Sequence, residues 1–256
     1  MAKLATLMYH AISNPITADK RRYACPPKRF KEQLQRVISE GFKFVDAPTA
    51  IQGLRGSGFA DDSVLVTFDD GYLDNWTDAR PILESLQIPA LFFITSRILN
   101  SKGGEGDIAE FVDSQMMESD HIKSLKTAGF AIGSHSATHA RLTEIDDESL
   151  AVELNESKSR IEEILEAPIE GFAYPYGARN ERVIDAVKKA GYEYAFSTKG
   201  GFSSAQDSLF DIRRIEVCGF DSPSKLVKKL SFGGSDLSVI SAAKYYMKRA
   251  RARFKL

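Results

Sequence analysis

Ser63-Val64-Leu65-Val66-Thr67-Phe68-Asp69-Asp70-Gly71 is the stretch whose reading decides the fold. It begins as a run with apolar residues on both faces, the pattern of a parallel strand buried under helices. It ends on two adjacent carboxylates and a glycine. Further along, His135-Ser136-Ala137-Thr138-His139 follows a second strand-like run. Two carboxylates at a strand end leave one free for proton transfer while the other binds a metal. Two histidines in one short window supply nitrogens to the same ion. Taken singly, an Asp-Asp pair is most often a solvated turn, and an H-x-x-x-H pair is most often two unrelated histidines. The chain holds only four histidines, however, and two of them fall in this window. The joint reading is a mononuclear Asp-His-His site with open positions for water and substrate, a design suited to hydrolysis.

Working outward, strand-like runs alternate with amphipathic helical segments along most of the chain. The strands are expected at 4–9, 42–47, 63–68, 90–95, 130–134, 171–174, 192–197 and 212–217. Helical periodicity marks 26–40, with Phe30, Leu34, Val37 and Ile38 on one face. It also marks 147–166, with Leu150, Val152, Leu154, Ile161 and Ile164, and 180–190, which stops at Gly191. Repeated β-α units imply a parallel sheet, and seven or eight of them imply an α/β fold of the distorted (β/α) barrel type. Both motifs then stand at carboxyl ends of strands, the face on which barrel active sites are built. The glycine-rich stretch 101–106 reads as a loop at the rim of the site.

A length of 256 residues allows one barrel-sized domain or two small ones, and 43% apolar content is ample for a core. The repeated β-α units favour the single barrel, taken as 1–236. A net charge of −1 argues against nucleic acid as a partner. Cys25 and Cys218 have no paired spacing and read as free thiols in a reducing compartment. The amino terminus lacks a secretory pattern, and no apolar run reaches the roughly 18 residues of a membrane span. The expected location is therefore cytoplasmic. Residues 237–256 read as a basic amphipathic helix, with Lys244, Lys248, Arg249, Arg251, Arg253 and Lys255 among its charges. It is either a final helix with a solvated basic tail or a peripheral anchor on anionic lipid at the inner membrane face.

Thr67-Phe68-Asp69-Asp70-Gly71-Tyr72, Gly133-Ser134-His135-Ser136-Ala137-Thr138-His139 and Phe172-Ala173-Tyr174-Pro175-Tyr176-Gly177 together resemble the first three motifs of the polysaccharide deacetylases. These are the NodB-homology or carbohydrate esterase family 4 enzymes. The opening Leu7-Met8-Tyr9-His10 is similar to the poly-N-acetylglucosamine deacetylase branch, and the resemblance runs from Leu4 to Val217. It implies that Asp70, His135 and His139 hold a divalent metal, zinc or another ion. It also implies that Asp69 is the general base acting on metal-bound water, whose pKa is lowered toward ~7. The bland alternative for Asp69 is a turn-capping carboxylate. Strand neighbours point to opposite faces, so both carboxylates reach one centre only where the strand is ending. Pro175 would shape the loop from which the Tyr176 backbone N–H stabilises an oxyanion.

The departures from the family pattern carry their own expectations. An arginine that commonly precedes the Pro-Tyr-Gly loop is replaced here by Ala173 and Tyr174, so Arg213 or Arg214, preferably the second, would pair with the base. No histidine follows His139, so the late histidine that protonates the leaving amine is missing. In a barrel the first and last strands are neighbours, which makes His10 the candidate acid, brought in from the side opposite Asp69 and held by Asp211. Its bland alternative is a satisfied structural histidine. His121 is expected on a helix and exposed. The family's pocket tryptophan is not evident. Trp76 lies past the Asp-Asp motif, and Tyr72, Leu142 and Phe196 are candidates to line an acetyl pocket.

The resulting expectation is a metal-dependent hydrolase that removes an N-acetyl group from a nucleotide-, lipid- or polymer-linked sugar during surface-polysaccharide or glycolipid synthesis. The rivals are an amidohydrolase for non-sugar amides or imides, and a carbohydrate-binding protein with a dead site.

Overall fold

The computed structural model describes residues 3–14, 22–59, 61–99 and 115–234. The expected carboxyl-terminal helix 237–256 and the loop 101–106 lie outside the described residues.

The strands are β1 (Leu4–Tyr9), β2 (Lys43–Phe44), β3 (Ser63–Phe68), β4 (Ala90–Ile94), β5 (Ala131–Ser134), β6 (Gly171–Ala173), β7 (Tyr194–Phe196) and β8 (Ile215–Glu216). They form one sheet in the order β7-β6-β5-β4-β3-β1-β8, with β2 also beside β3. Every pairing is parallel. β1 and β3 are buried along their whole length, as their two-sided apolar runs require.

The sheet curls into a half-barrel. The rings of Phe93 on β4 and Phe196 on β7 lie 5.4 Å apart, although β5 and β6 separate those strands. Leu4, Leu65, Leu91, Phe93, Phe196 and Ile212 fill the concave side. The alternate residues of β3, Val64, Val66 and Phe68, belong instead to the larger core beneath the helices. One segment spans the open seam. Ser197 N–H donates to Ile212 O at 2.8 Å and Ile212 N–H to Ala195 O at 3.0 Å, tying it to β7. A few residues on, Ile215 and Glu216 pair with Leu7 and Met8 of β1. The single strand expected at 212–217 is thus divided between two edges.

The helices are α1 (Pro27–Ser39), α2 (Ala47–Gln52), α3 (Arg80–Leu86), α4 (Ser119–Thr127), α5 (Asp147–Leu165), α6 (Glu181–Lys189) and α7 (Pro223–Phe232). Asp146, Asn180 and Ser222 cap α5, α6 and α7 by accepting backbone N–H bonds at their starts. Ile38 and Val152, assigned to buried faces from periodicity, are exposed at 44% and 46%. They sit at the margin of stripes that α1 and α5 bury only along their centres.

β5 approaches its neighbours closely. A Cβ on Gly133 would stand 2.7 Å from the Phe93 ring and 2.9 Å from the Gly171 carbonyl oxygen, two residues before His135. Gly133→Ala is expected to lower stability by about 1–3 kcal/mol, the usual cost of overpacking. Urea unfolding of the metal-free protein measures this, and an unchanged midpoint would contradict the packing.

A candidate metal centre at the strand ends

Asp69 and Asp70 leave β3 as its pairing ends. Asp70 adopts φ 77 and Gly71 φ 92. This left-handed turn breaks the strand alternation and brings both carboxylates into one space. Asp70 Oδ1 lies 3.5 Å and Asp69 Oδ2 3.9 Å from the same nitrogen, His135 Nε2. Asp70 Oδ1 is also 3.6 Å from His139 Nε2.

His135 follows β5, and its Nδ1 donates to the Ala173 carbonyl at 2.8 Å. That bond fixes the tautomer and turns the Nε2 lone pair toward the carboxylates. Burial pushes the His135 imidazole down to about 4, despite the nearby Asp69 carboxylate, so at neutral pH it is an uncharged ligand. The loop to His139 is irregular, with Ser136 at φ 66 and His139 at φ 62. Glu153 of α5 holds it, accepting from Ala137 N–H and Thr138 N–H at 2.9 Å each and from the Thr138 hydroxyl at 2.6 Å.

Ligand atoms of Asp70, His135 and His139 all fall within 4.8 Å of one another, and all three residues are buried. Two tetrahedral ligands at ~2.0–2.1 Å from zinc stand about 3.3–3.4 Å apart, close to the separations from Asp70 Oδ1. Asp70 Oδ1 is itself buried with no hydrogen-bond partner among the described residues. A carboxylate oxygen in that condition needs a cation, so the donor set fits a divalent ion.

Asp69 is compensated differently. Arg214, fully buried, donates from Nη1 to Asp69 Oδ1 at 2.6 Å and from Nε to Ser197 O at 3.0 Å. Burial alone would raise the Asp69 carboxyl, but the charge and hydrogen bond of Arg214 outweigh it and lower it to about 2. Arg213, the other candidate, makes its ion pair with Asp207 instead, at 3.8 Å.

Pro175–Gly177 forms a tight turn with Tyr176 at φ 57, closed by Gly177 N–H to Tyr174 O at 2.8 Å. The Tyr176 ring is 43% exposed and packs 4.5 Å from the His139 ring. His10 follows β1, whose Tyr9 carbonyl accepts the Asp69 N–H at 3.0 Å. The His10 backbone therefore stands beside Asp69 rather than across the site from it. Asp211, the expected partner of His10, pairs with Arg179 and Lys199 instead. The carboxylates that act electrostatically with His10 are Asp69 and Glu216 of β8. His121 is half-buried with its ring 4.5 Å from that of Trp76, so neither is free for the site. Leu142 and Phe196 are wholly buried in the core and line no acetyl pocket.

Glu153 escaped the sequence reading, yet it left a signal. It sits on the buried stripe of α5 with Leu150, Leu154, Ser157 and Ile161, where an unpartnered charge would be prohibitive.

Arg214→Met would leave the buried Asp69 carboxylate without its counter-charge. A loss of about 3–5 kcal/mol is expected in chemical unfolding. A variant as stable as the parent would show that the pair carries no such role.

The sequence profile described as polysaccharide deacetylase matches residues 57–195, more than half of the chain. Among curated proteins, the candidate polysaccharide deacetylase YxkH of Bacillus subtilis is 26% identical over 84% of this chain and 72% of its own. The poly-beta-1,6-N-acetyl-D-glucosamine N-deacetylase of Staphylococcus aureus is 24% identical over 82% of this chain and 72% of its own. Among solved structures, the Streptococcus pyogenes deacetylase PplD in complex with acetate superimposes with a TM-score of 0.78 at 24% identity. That match covers 90% of this chain and 98% of PplD. IcaB from Ammonifex degensii gives 0.76 at 24% identity, covering 90% and 97%. In its motifs, its half-barrel and the length over which both are shared, the chain belongs to the polysaccharide deacetylase family and is a carbohydrate deacetylase.

Proposed function

We propose that this protein removes N-acetyl groups from a sugar by metal-dependent hydrolysis. The observation that carries the reading is the convergence of Asp70, His135 and His139 beside a second carboxylate that Arg214 keeps ionised. Two nitrogens and one oxygen, with histidine the commoner donor, suit zinc best. When bound, the ion supplies Lewis acidity, acidifying water and polarising the acetyl carbonyl.

The remaining work falls to the chain. Asp69 offers Oδ2 to the centre while Oδ1 is occupied by Arg214, so it begins the reaction ionised and takes a proton from the attacking water. The Arg214 ion pair favours that ionised form, lowering the carboxyl to about 2. Tyr176, in its left-handed turn beside His139, supplies a backbone N–H to the developing oxyanion. His10 delivers the proton to the leaving nitrogen. The buried, partly apolar surroundings strengthen each of these charge interactions.

An N-acetylated hexosamine is the favoured substrate, in keeping with the activity named for the Staphylococcus aureus relative. We place the reaction in the cytoplasm, on a nucleotide- or lipid-linked sugar at the inner membrane face. The basic run 237–256 supports that placement. No helix among the described residues is long and apolar enough to cross a membrane.

Acetate release from a panel of acetylated sugars, with and without chelator, tests the reading. Release that stops with chelator and returns with zinc is expected. Sugar binding without release would favour the dead binding protein, and activity confined to non-sugar amides the other rival. His139→Ala should fold yet lose stoichiometric metal; full occupancy by elemental analysis would refute the ligand set. Asp69→Asn should keep its metal and lose about 10²–10⁴-fold in kcat. Near-normal turnover in that variant would remove Asp69 from the role of base.

A further inference from the structure

The turn that carries Asp69 and Asp70 continues as Gly71-Tyr72-Leu73-Asp74-Asn75. Its last two residues reach back to the chain leaving β1. Asn75, fully buried, donates from Nδ2 to the His10 carbonyl at 2.8 Å and to Asp74 Oδ1 at 3.0 Å. Asp74 Oδ1 accepts the Ile12 N–H at 2.9 Å, and the Asp74 carboxylate also bonds the Ser13 hydroxyl. With Asp69 N–H on Tyr9 O, residues 9, 10, 12 and 13 are each tied to the segment 69–75.

The His10 ring feels the charges of Asp69 and Glu216, but neither holds it through a hydrogen bond at Nδ1. Its Nδ1 is buried without a hydrogen-bond partner among the described residues. Its ring packs edge-on against Tyr23 at 5.1 Å. With no side-chain bond on that nitrogen, the position of the backbone at His10 weighs heavily on where the imidazole stands.

The clamp is an expensive one. Burial raises the Asp74 carboxyl to about 6 against the bonds from Ile12, Ser13 and Asn75, and Asn75 Oδ1 is buried without a partner. Polar groups held at such a cost beside a reacting centre point to a geometric demand.

We propose that Asp74 and Asn75 are positioning residues for His10, fixing the loop that presents its imidazole to the leaving group. This rests on the reading of His10 as general acid. One short stretch of chain then carries the base, one metal ligand and the two residues that set the acid.

The test compares an N-acetylated sugar amide with an aryl acetate, whose leaving group needs no proton. His10→Ala is expected to lose amide hydrolysis selectively. Asn75→Ala should copy that selectivity, with kcat on the amide down about 10–100-fold and on the ester by less than about twofold. KM and metal content should be unchanged. Asn75→Leu, close in shape to asparagine and free of unpaired polar atoms, gives the same reading if the alanine variant folds poorly. Asp74→Asn keeps an acceptor for Ile12 N–H and should retain most of the amide activity that Asp74→Ala loses. If His10→Ala is selective while Asn75→Ala and Asn75→Leu lose both activities equally, or neither, the positioning role is overturned alone. Equal losses in His10→Ala would overturn the acid assignment and the clamp with it.

Discussion

Two neighbouring carboxylates buried at one strand end are the constraint from which the rest of the site follows. Asp69 and Asp70 are exposed by only 2% and 5%. Like charges that close in a poorly solvated space cannot both remain ionised unless each is separately compensated. The fold supplies one compensation from its own chain, as the buried guanidinium of Arg214 paired with Asp69 Oδ1. It leaves the other, Asp70 Oδ1, facing two imidazole nitrogens and, among the described residues, no hydrogen-bond donor. That asymmetry divides the labour of the pair: one carboxylate is committed to an arginine and the other awaits a cation. The segment that bridges the open seam of the half-barrel matters for this reason, since it is the one that brings Arg214 under β3.

Bringing the groups together strains the backbone. Of six non-glycine residues with positive φ among those described, Gln87 and Glu166 merely end helices. The other four, Asp70, Ser136, His139 and Tyr176, are at or beside the centre. Each such conformation costs on the order of 1–3 kcal/mol and persists only where the surroundings impose it. Glu153 supplies that imposition for the histidine loop, and the Ser136 hydroxyl adds a bond to His139 N–H at 3.0 Å. The buried sheet beneath provides the rigid support.

Much of this was legible in the sequence because the key side chains sit at ends of strands whose apolar runs are unmistakable. β1, β3 and β4 show both of their faces in their composition, so Asp69, Asp70 and His10 could be placed at their ends. Arg214 could be narrowed to one of two residues because the family that the motifs resemble pairs its base with an arginine, which this chain lacks before Pro175. What escaped was set by tertiary contacts that leave little trace locally. α2 and α3 are too short to display a period. The division of 212–217 depends on where two sheet edges meet. Asp211 carries the right charge in the right neighbourhood, yet Arg179 and Lys199, from other parts of the chain, claim it. The link of Asp74 and Asn75 to His10 also joins residues distant in sequence and needed the fold to become visible.

The division of labour between the two carboxylates is tested most directly by anomalous diffraction at the zinc edge on crystals of the zinc-loaded protein. A single peak is expected about 2.0–2.2 Å from Asp70 oxygen and from Nε2 of His135 and His139. Asp69 should remain outside the coordination sphere, on Arg214. An ion bound through Asp69, with Asp70 turned away, would contradict the account at its base.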